Sequence, residues 1–160
     1  MECAIRKVKD EWGWLGNMSR HPIEYKGIIF HSAEALFQFL RFQDRLPVAR
    51  DEVMQDIINE PNPFKAKLIA KKNAHLMTVD PKSDKDVANM ERVLRLKINQ
   101  HPDLKKQLIE TGDAFIVEDI GGRKGGNHDF WGARKIGDKW VGENTVGNLW
   151  MKIREEIKEA

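Results

Sequence analysis

Residues 32–42 read Ser-Ala-Glu-Ala-Leu-Phe-Gln-Phe-Leu-Arg-Phe, and this stretch decides the class of fold. Its apolar residues recur at intervals of three and four from Ala33 to Leu40, which places them on one face of an α-helix. Ser32 precedes them, and its hydroxyl can accept a hydrogen bond from an N–H group of the first turn. We therefore predict a helix from Ala33 to Phe42 with one face in the hydrophobic core.

The same period recurs along the rest of the chain. We predict further helices over Val48–Asn59, from Pro63 onward, and over Asp84–Asn99, Pro102–Glu110 and Thr145–Lys158. Three of them are preceded by residues suited to cap a helix: Asn62, Ser83 and Asn144. The spacing of Ser83 and Asp86 resembles a capping box. Short strands are predicted at Ile5–Val8, Gly27–Phe30 and Ala114–Glu118. The predicted fold is mainly α, a single multihelical domain over residues 1–160 with a few short β-strands.

Composition excludes several classes of protein. A chain of 160 residues can bury one good hydrophobic core, and 27 basic against 25 acidic residues leave a net charge of only +2. No apolar run is long enough to span a bilayer, and the first residues do not resemble a secretory signal, so we expect a cytoplasmic protein with no membrane partner. Cys3 is the one cysteine, and we interpret it as a bystander near the terminus. The five histidines are dispersed without metal-ligand spacing, so we expect neither a metal nor a cofactor.

A second face of the helix at Ala33 is polar. Glu34, Gln38 and Arg41 stand at i, i+4 and i+7, apart from the apolar stripe. A carboxylate, an amide and a cation on one face can line a binding site. The alternative is that Glu34 only interacts favourably with the helix dipole, an effect well below about 1 kcal/mol.

Glycine is concentrated between Gly121 and Gly147. Such a segment brings N–H groups close to a ligand, and the start of the helix after it suits a phosphate. Within it, His128, Asp129 and Trp131 combine an imidazole, a carboxylate and an indole, a set typical of sites that hold a planar ring. A flexible surface loop, with Trp131 packed into the core, is the alternative.

A basic helix surface is predicted after Pro63. It carries four lysines: Lys65, Lys67, Lys71 and Lys72. These side chains could meet phosphate groups, although solvated lysines on a surface are the commoner case.

The order of these segments resembles the NADAR (YbiA-like) family, which includes N-glycosidases of riboflavin intermediates. The similar segments lie at residues 14–18, 30–38 and 62–67, then at Phe130-Trp131-Gly132 and Gly142-Glu143-Asn144-Thr145-Val146-Gly147, so that the resemblance covers nearly the whole chain. It implies a mostly helical domain that hydrolyses N-glycosidic bonds, including the bond between ADP-ribose and guanine in some members. The chain departs from the family at His128, where an aspartate is common, at Lys82, near which a tryptophan is missing, and at Arg41, where many members have a lysine.

The resemblance implies roles for individual residues. Glu34 is the leading catalytic candidate, assisted at the leaving group by Asp129 or His128. The residues implied in substrate binding are Asn17, Gln38, Arg41, Lys72, Trp131, Gly132, Asn144 and Gly147. The expected partner is a small-molecule nucleotide or an ADP-ribosylated nucleic acid, and we expect Glu34 and Trp131 to face one cleft. A module that binds ADP-ribose without cleaving it is the alternative, kept open by Arg41 and His128.

Overall fold

The structure is a computed structural model that describes residues 1–43, 48–123 and 128–160. The described residues form seven α-helices: α1 Ala33–Leu40, α2 Val48–Asn59, α3 Pro63–Lys72, α4 Asp84–Gln100, α5 Pro102–Glu110, α6 His128–Trp131 and α7 Thr145–Glu159. They also form six strands: β1 Glu2–Ile5, β2 Ile23–Tyr25, β3 Ile28–Phe30, β4 Phe115–Glu118, β5 Arg134–Ile136 and β6 Lys139–Val141. The mainly helical class with short strands is confirmed. Four residues of the glycine-rich segment, Lys124, Gly125, Gly126 and Asn127, lie outside the described residues.

The chain groups into two compact units, 1–16 with 101–160, and 17–100. We call them the terminal unit and the central unit. The prediction of one domain over 1–160 stays a prediction. Among the described residues, no helix is both long enough and apolar enough to cross a membrane.

The central unit is built around α1, because all eight of its residues are buried. Helices α2, α3 and α4 and the antiparallel pair β2–β3 pack against it. Ser32 caps α1 as predicted, with its Oγ accepting from the N–H of Ala35 at 3.2 Å. Asn62 caps α3 in the same way, accepting from Phe64 at 2.9 Å, and Pro63 occupies the first position. The polar face predicted for α1 therefore lies inside the unit, and not at a solvent-exposed surface.

The terminal unit packs α7 against a parallel pair of strands, β1 and β4. The indole of Trp150 on α7 is fully buried and donates to the carbonyl oxygen of Leu15 at 3.0 Å. The guanidinium of Arg154, one turn further on, donates to the carbonyl of Ala114 at 2.8 Å. Val146, Leu149, Trp150 and Ile153 are buried, so α7 turns an apolar stripe toward the core.

Two predictions at the N-terminus are corrected. The first strand covers Glu2–Ile5 instead of Ile5–Val8, because the sequence pairs in register with β4, from Glu2 opposite Phe115 to Ile5 opposite Glu118. Cys3 is fully buried within that strand and is not a terminal bystander. Burial raises the pKa of the Cys3 thiol, which disfavours the nucleophilic thiolate.

Candidate active site

The central unit presents a buried carboxylate at the start of α1. Glu34 is only 6% exposed, and its main-chain N–H donates to the carbonyl oxygen of Asn17 at 3.0 Å. Its Oε1 accepts a hydrogen bond from Nε2 of Gln38 at 2.8 Å, one turn along the helix. A carboxylate can accept about four hydrogen bonds. Since Gln38 supplies one, Glu34 keeps capacity for a water molecule or a substrate hydroxyl.

Gln38 is held in one orientation by Arg41. The guanidinium can only donate, and its Nη1 lies 3.3 Å from Oε1 of Gln38. The amide therefore turns its oxygen toward Arg41 and its NH2 group toward Glu34. The guanidinium also lies over the ring of Phe37, 4.5 Å from the ring centre.

Arg41 is itself fixed by Asp86 on α4. Two parallel hydrogen bonds, Nε to Oδ1 at 3.0 Å and Nη2 to Oδ2 at 2.8 Å, form a bidentate ion pair. Asp86 is fully buried and also accepts from the N–H group of Lys82 at 2.9 Å. We call the chain Glu34, Gln38, Arg41 and Asp86 the carboxylate relay, because each side chain orients the next.

Sequence reasoning brought three members of the carboxylate relay together and missed the fourth. Ser83 and Asp86 were interpreted as a capping box, and Oγ of Ser83 does accept from the N–H of Asp86 at 3.2 Å. Only this half of the box forms, because the N–H of Ser83 donates to the carbonyl oxygen of Asp80 at 3.1 Å, and the carboxylate of Asp86 is left for another partner. Because the partner, Arg41, is 45 residues away, no local pattern could have identified it.

A second buried polar group, Lys97, contacts the segment that precedes β2. Lys97 on α4 is fully buried, and its Nζ donates to Oγ of Ser19 at 2.7 Å. Nδ1 of His21 lies 3.0 Å from the same oxygen. Lys97 follows Leu94 by three residues on the apolar stripe of α4, a position that could have drawn attention to it.

Asn17 presents an unsatisfied acceptor within the central unit. Its Nδ2 donates to the sulfur of Met90 at 3.1 Å, while its Oδ1 is buried with no hydrogen-bond donor among the described residues. A buried acceptor without a donor costs about 1–3 kcal/mol. A ligand hydroxyl would remove that cost, so the geometry suits the predicted role of Asn17 in substrate binding. Lys72, the other predicted binding residue of this unit outside α1, is exposed in the last turn of α3.

The terminal unit holds the other predicted site residues. His128, Asp129 and Trp131 lie on the short helix α6, where the rings of Phe130 and Trp131 meet edge to face at 4.9 Å. Trp131 is half-buried and Asp129 is exposed. Glu34 and Trp131 belong to different units, and the expectation that they face one cleft stays a prediction.

Asn144 was expected as a cap of α7, and this prediction is wrong. The residue adopts a left-handed conformation with φ +52°, and its side chain makes no capping bond. Its amide instead bridges β4, with Oδ1 accepting from Glu118 at 3.0 Å and Nδ2 donating to Ile116 at 2.9 Å. The amide of Asn144 is thus already engaged within the fold.

Gly132 and Gly147 mark close approaches of main chain. A Cβ atom at Gly132 would overlap the carbonyl oxygen of Glu118, and one at Gly147 would overlap that of Ile116. Both glycines therefore permit close packing against the main chain of β4. Their predicted contact with substrate stays a prediction.

The described residues do not form a set of metal ligands. Among the described residues, no group of three or more His, Cys, Asp or Glu side chains could hold a metal ion.

Comparisons with known proteins agree with this architecture. The NADAR domain family model matches residues 5–158. The chain is 26% identical over 150 residues to the N-glycosidase YbiA of Escherichia coli strain K12, a match that covers 94% of this chain and 84% of that protein. It is also 26% identical to an N-glycosidase of Nostoc punctiforme, over 99% of this chain and 94% of the relative.

Two further proteins are similar to this chain. An N-glycosidase of Acanthamoeba polyphaga mimivirus is 42% identical over 73 residues, 41% of this chain and 40% of that protein. The NMR structure of the E. coli protein YbiA superposes with a TM-score of 0.73 at 23% identity, covering 99% of this chain and 88% of that chain, so the two share a fold. With the family model spanning residues 5–158, the chain belongs to the NADAR family.

Proposed function

We propose that this chain is an N-glycosidase that hydrolyses the bond between a ribose anomeric carbon and a base nitrogen. The proposed substrate is an ADP-ribose-related compound, such as ADP-ribosylated guanine, or a ribosylamino-pyrimidine phosphate. The observation that carries the proposal is the buried carboxylate of Glu34, held by Gln38 and still able to accept hydrogen bonds. The N-glycosidase names of several relatives support the class of reaction.

The reaction generates opposite charges on the two sides of the bond that breaks. As the C–N bond breaks, positive charge develops on the anomeric carbon and the base leaves with the bonding electron pair. In the proposed mechanism, Glu34 stabilises that positive charge and accepts a proton from the attacking water, whose oxygen forms the new bond to carbon. Asp129 or His128 supplies a proton to the departing base, and Trp131 stacks on it.

Arg41 bears on the chemical route. A lysine at this position could form an imine with the opened sugar, whereas a guanidinium stays protonated and cannot. Here the guanidinium is also committed to Asp86 through two hydrogen bonds. We therefore propose direct attack by water, without a covalent intermediate on Arg41.

The carboxylate is tested by Glu34→Gln. This change keeps the shape of the side chain and removes its negative charge, so we expect base release to fall on the order of 10²- to 10⁴-fold. The measurement is chromatographic detection of released base from NAD, ADP-ribose, ADP-ribosylated guanine in DNA and ribosylamino-pyrimidine phosphate. Glu24→Gln on β2, where the side chain is exposed, is the matched control and should keep full activity.

The substrate panel also separates catalysis from binding. Base release from any member by the wild-type protein identifies the substrate class. Tight binding of ADP-ribose with no release from any member would favour the non-catalytic module instead. Full activity of Glu34→Gln would reject the assignment of Glu34.

A further inference from the structure

Helix α3 exposes a surface that the carboxylate relay does not use. Six of its side chains are exposed: Phe64, Lys65, Lys67, Leu68, Lys71 and Lys72. The opposite side packs against α1 and α2 through small residues, Ala66 and Ala70. The helix is thus fixed by its inner face and open along its outer face.

The outer face has an apolar centre and basic edges. Phe64 is 62% exposed and Leu68 is 47% exposed, and they lie one turn apart along the middle of the face. Helical spacing of 100° per residue puts Lys67 and Lys71 on one side of this pair. The same spacing puts the other two lysines on the opposite side.

Charge on α3 is concentrated and unbalanced. The helix holds four of the 27 basic residues of the chain and none of the 25 acidic ones. No ion pair between described residues involves any of the four lysines. A chain of net charge +2 therefore carries a local cluster of positive charge that none of its described acidic groups neutralises by direct pairing.

We infer that the outer face of α3 binds a single-stranded nucleic acid, with lysines on the phosphates and a base stacked on Phe64. Surfaces that bind single strands combine a basic track with an exposed aromatic ring. Lysine is depleted from the cores of protein–protein interfaces, and two apolar side chains are far less than a stable dimer buries. An interfacial membrane helix needs a broad apolar face, whereas the broad face of α3 is already packed inside the protein.

The inference sharpens the proposed function, on which it rests for its biological meaning. Because α3 packs directly against α1, the strand would be held on the helix next to the one that carries Glu34. If the substrate is an ADP-ribosylated base within a nucleic acid strand, as proposed, this face would hold the strand beyond the modified base, on the side of α3 turned away from α1.

The test measures binding of an unmodified single-stranded oligonucleotide of about 12 nucleotides, by fluorescence anisotropy as a function of salt. For the wild type we expect the logarithm of the binding constant to fall with the logarithm of salt with a slope of about −3, since each of four neutralised phosphates contributes about 0.7. The double substitution Lys67→Glu with Lys71→Glu should make that slope shallower by at least about 1.4. Phe64→Ala should weaken binding about 5- to 150-fold through lost stacking, with the slope unchanged.

Matched controls make the result specific. Lys7→Glu with Lys106→Glu changes the net charge by the same amount at exposed positions outside α3 and should leave the slope within half a unit of the wild type, on the order of the effect of one phosphate. Thermal unfolding of each variant confirms that it is folded. The assay contains neither ADP-ribose nor cleavage, so an absence of glycosidase activity would reject the proposed function and leave this result standing.

Four outcomes would overturn the inference. The wild type could fail to bind the oligonucleotide, or the α3 and control variants could lose binding equally. The α3 substitutions could instead abolish binding to phosphatidylserine vesicles while sparing the oligonucleotide, which would indicate a membrane surface. Loss of a dimer in Phe64→Ala by analytical ultracentrifugation, with oligonucleotide binding unchanged, would indicate a second copy of the chain.

Discussion

The carboxylate relay of the central unit and the turn before α7 in the terminal unit use buried polar side chains in opposite ways. In the relay, side chains bind side chains, and the series ends at Glu34, which keeps capacity to accept hydrogen bonds. In the turn, the amide of Asn144 binds only the main chain of β4, and Gly147 removes a side chain altogether. The difference supports the proposed catalytic role of Glu34, whereas the contacts of the turn hold two elements together.

The strongest challenge to this comparison is Asp86→Asn. The substitution keeps the shape of the side chain but leaves Arg41, whose side chain is 11% exposed, without its counter-ion. Removing one partner of a buried ion pair costs about 3–5 kcal/mol, so we expect a loss of about 3 kcal/mol or more in the free energy of unfolding, measured with urea. If Gln38 is oriented through Arg41, base release should fall as well.

Glu91→Gln on the same helix is the matched control. It removes one carboxylate from a partly exposed i, i+4 pair with Arg95, which at the surface contributes at most about 0.5 kcal/mol. Equal losses for the two substitutions would mean that burial of Asp86 has no special consequence. The relay would then not differ from an ordinary surface pair.

Gly147→Ala tests the turn, and the sign of its effect is informative. In an ordinary helix interior, alanine is more favourable than glycine by up to about 1 kcal/mol. Here the added methyl group would overlap the carbonyl oxygen of Ile116 and the amide of Asn144. We therefore expect a net loss of about 1–3 kcal/mol in the free energy of unfolding.

Gly122→Ala is the corresponding control, because a methyl group there would meet no atom within 4 Å among the described residues. Its effect should stay within about 0.5 kcal/mol. A stabilised Gly147→Ala protein would contradict the role of Gly147 as a close contact. A folded Gly147→Ala protein with normal stability but weak substrate binding would instead support the binding role implied by family resemblance.

The same contrast explains what the sequence could and could not predict. Period and capping chemistry gave the bounds of α2 and α5 as the structure has them, and those of α1 within two residues, because these signals are local. The helix face shared by Glu34, Gln38 and Arg41 was equally local. Asp86 was missed because its partner is distant in sequence.

Asn144 shows a different limit. An asparagine before a helix usually caps it, yet here the left-handed main chain turns the side chain toward β4. The hairpin β5–β6 and the strand β2 were also missed, since three-residue strands are too short to show alternation. The contact of Asn144 with β4 is long-range, whereas β2–β3 and β5–β6 are local hairpins that were missed because their strands are short.

The smallest expected effect concerns Tyr25. Here a cation at the surface acts on the pKa of a buried side chain. Burial, the largest single cause, raises the pKa of Tyr25. The hydrogen bond from Arg92, at 3.3 Å, the charges of Lys26 and Arg92, and a side-chain hydrogen bond with Gln43 together lower that pKa below its ordinary 10.0. A lowered pKa means that the charged phenolate form of Tyr25 is more stable in the folded protein than in the unfolded chain. The resulting stability is fully present above pH 10.0 and is lost as pH falls through the folded-state pKa.

Since Tyr25 is the one tyrosine of the chain, tyrosinate absorbance during a pH titration reports it alone. Arg92→Met should raise the pKa of Tyr25 because it removes a hydrogen bond and a positive charge that lower that pKa, whereas Arg95→Met on the same helix should leave it unchanged. An Arg92→Met protein that titrates like the wild type would show that contact with an exposed guanidinium does not tune this phenol.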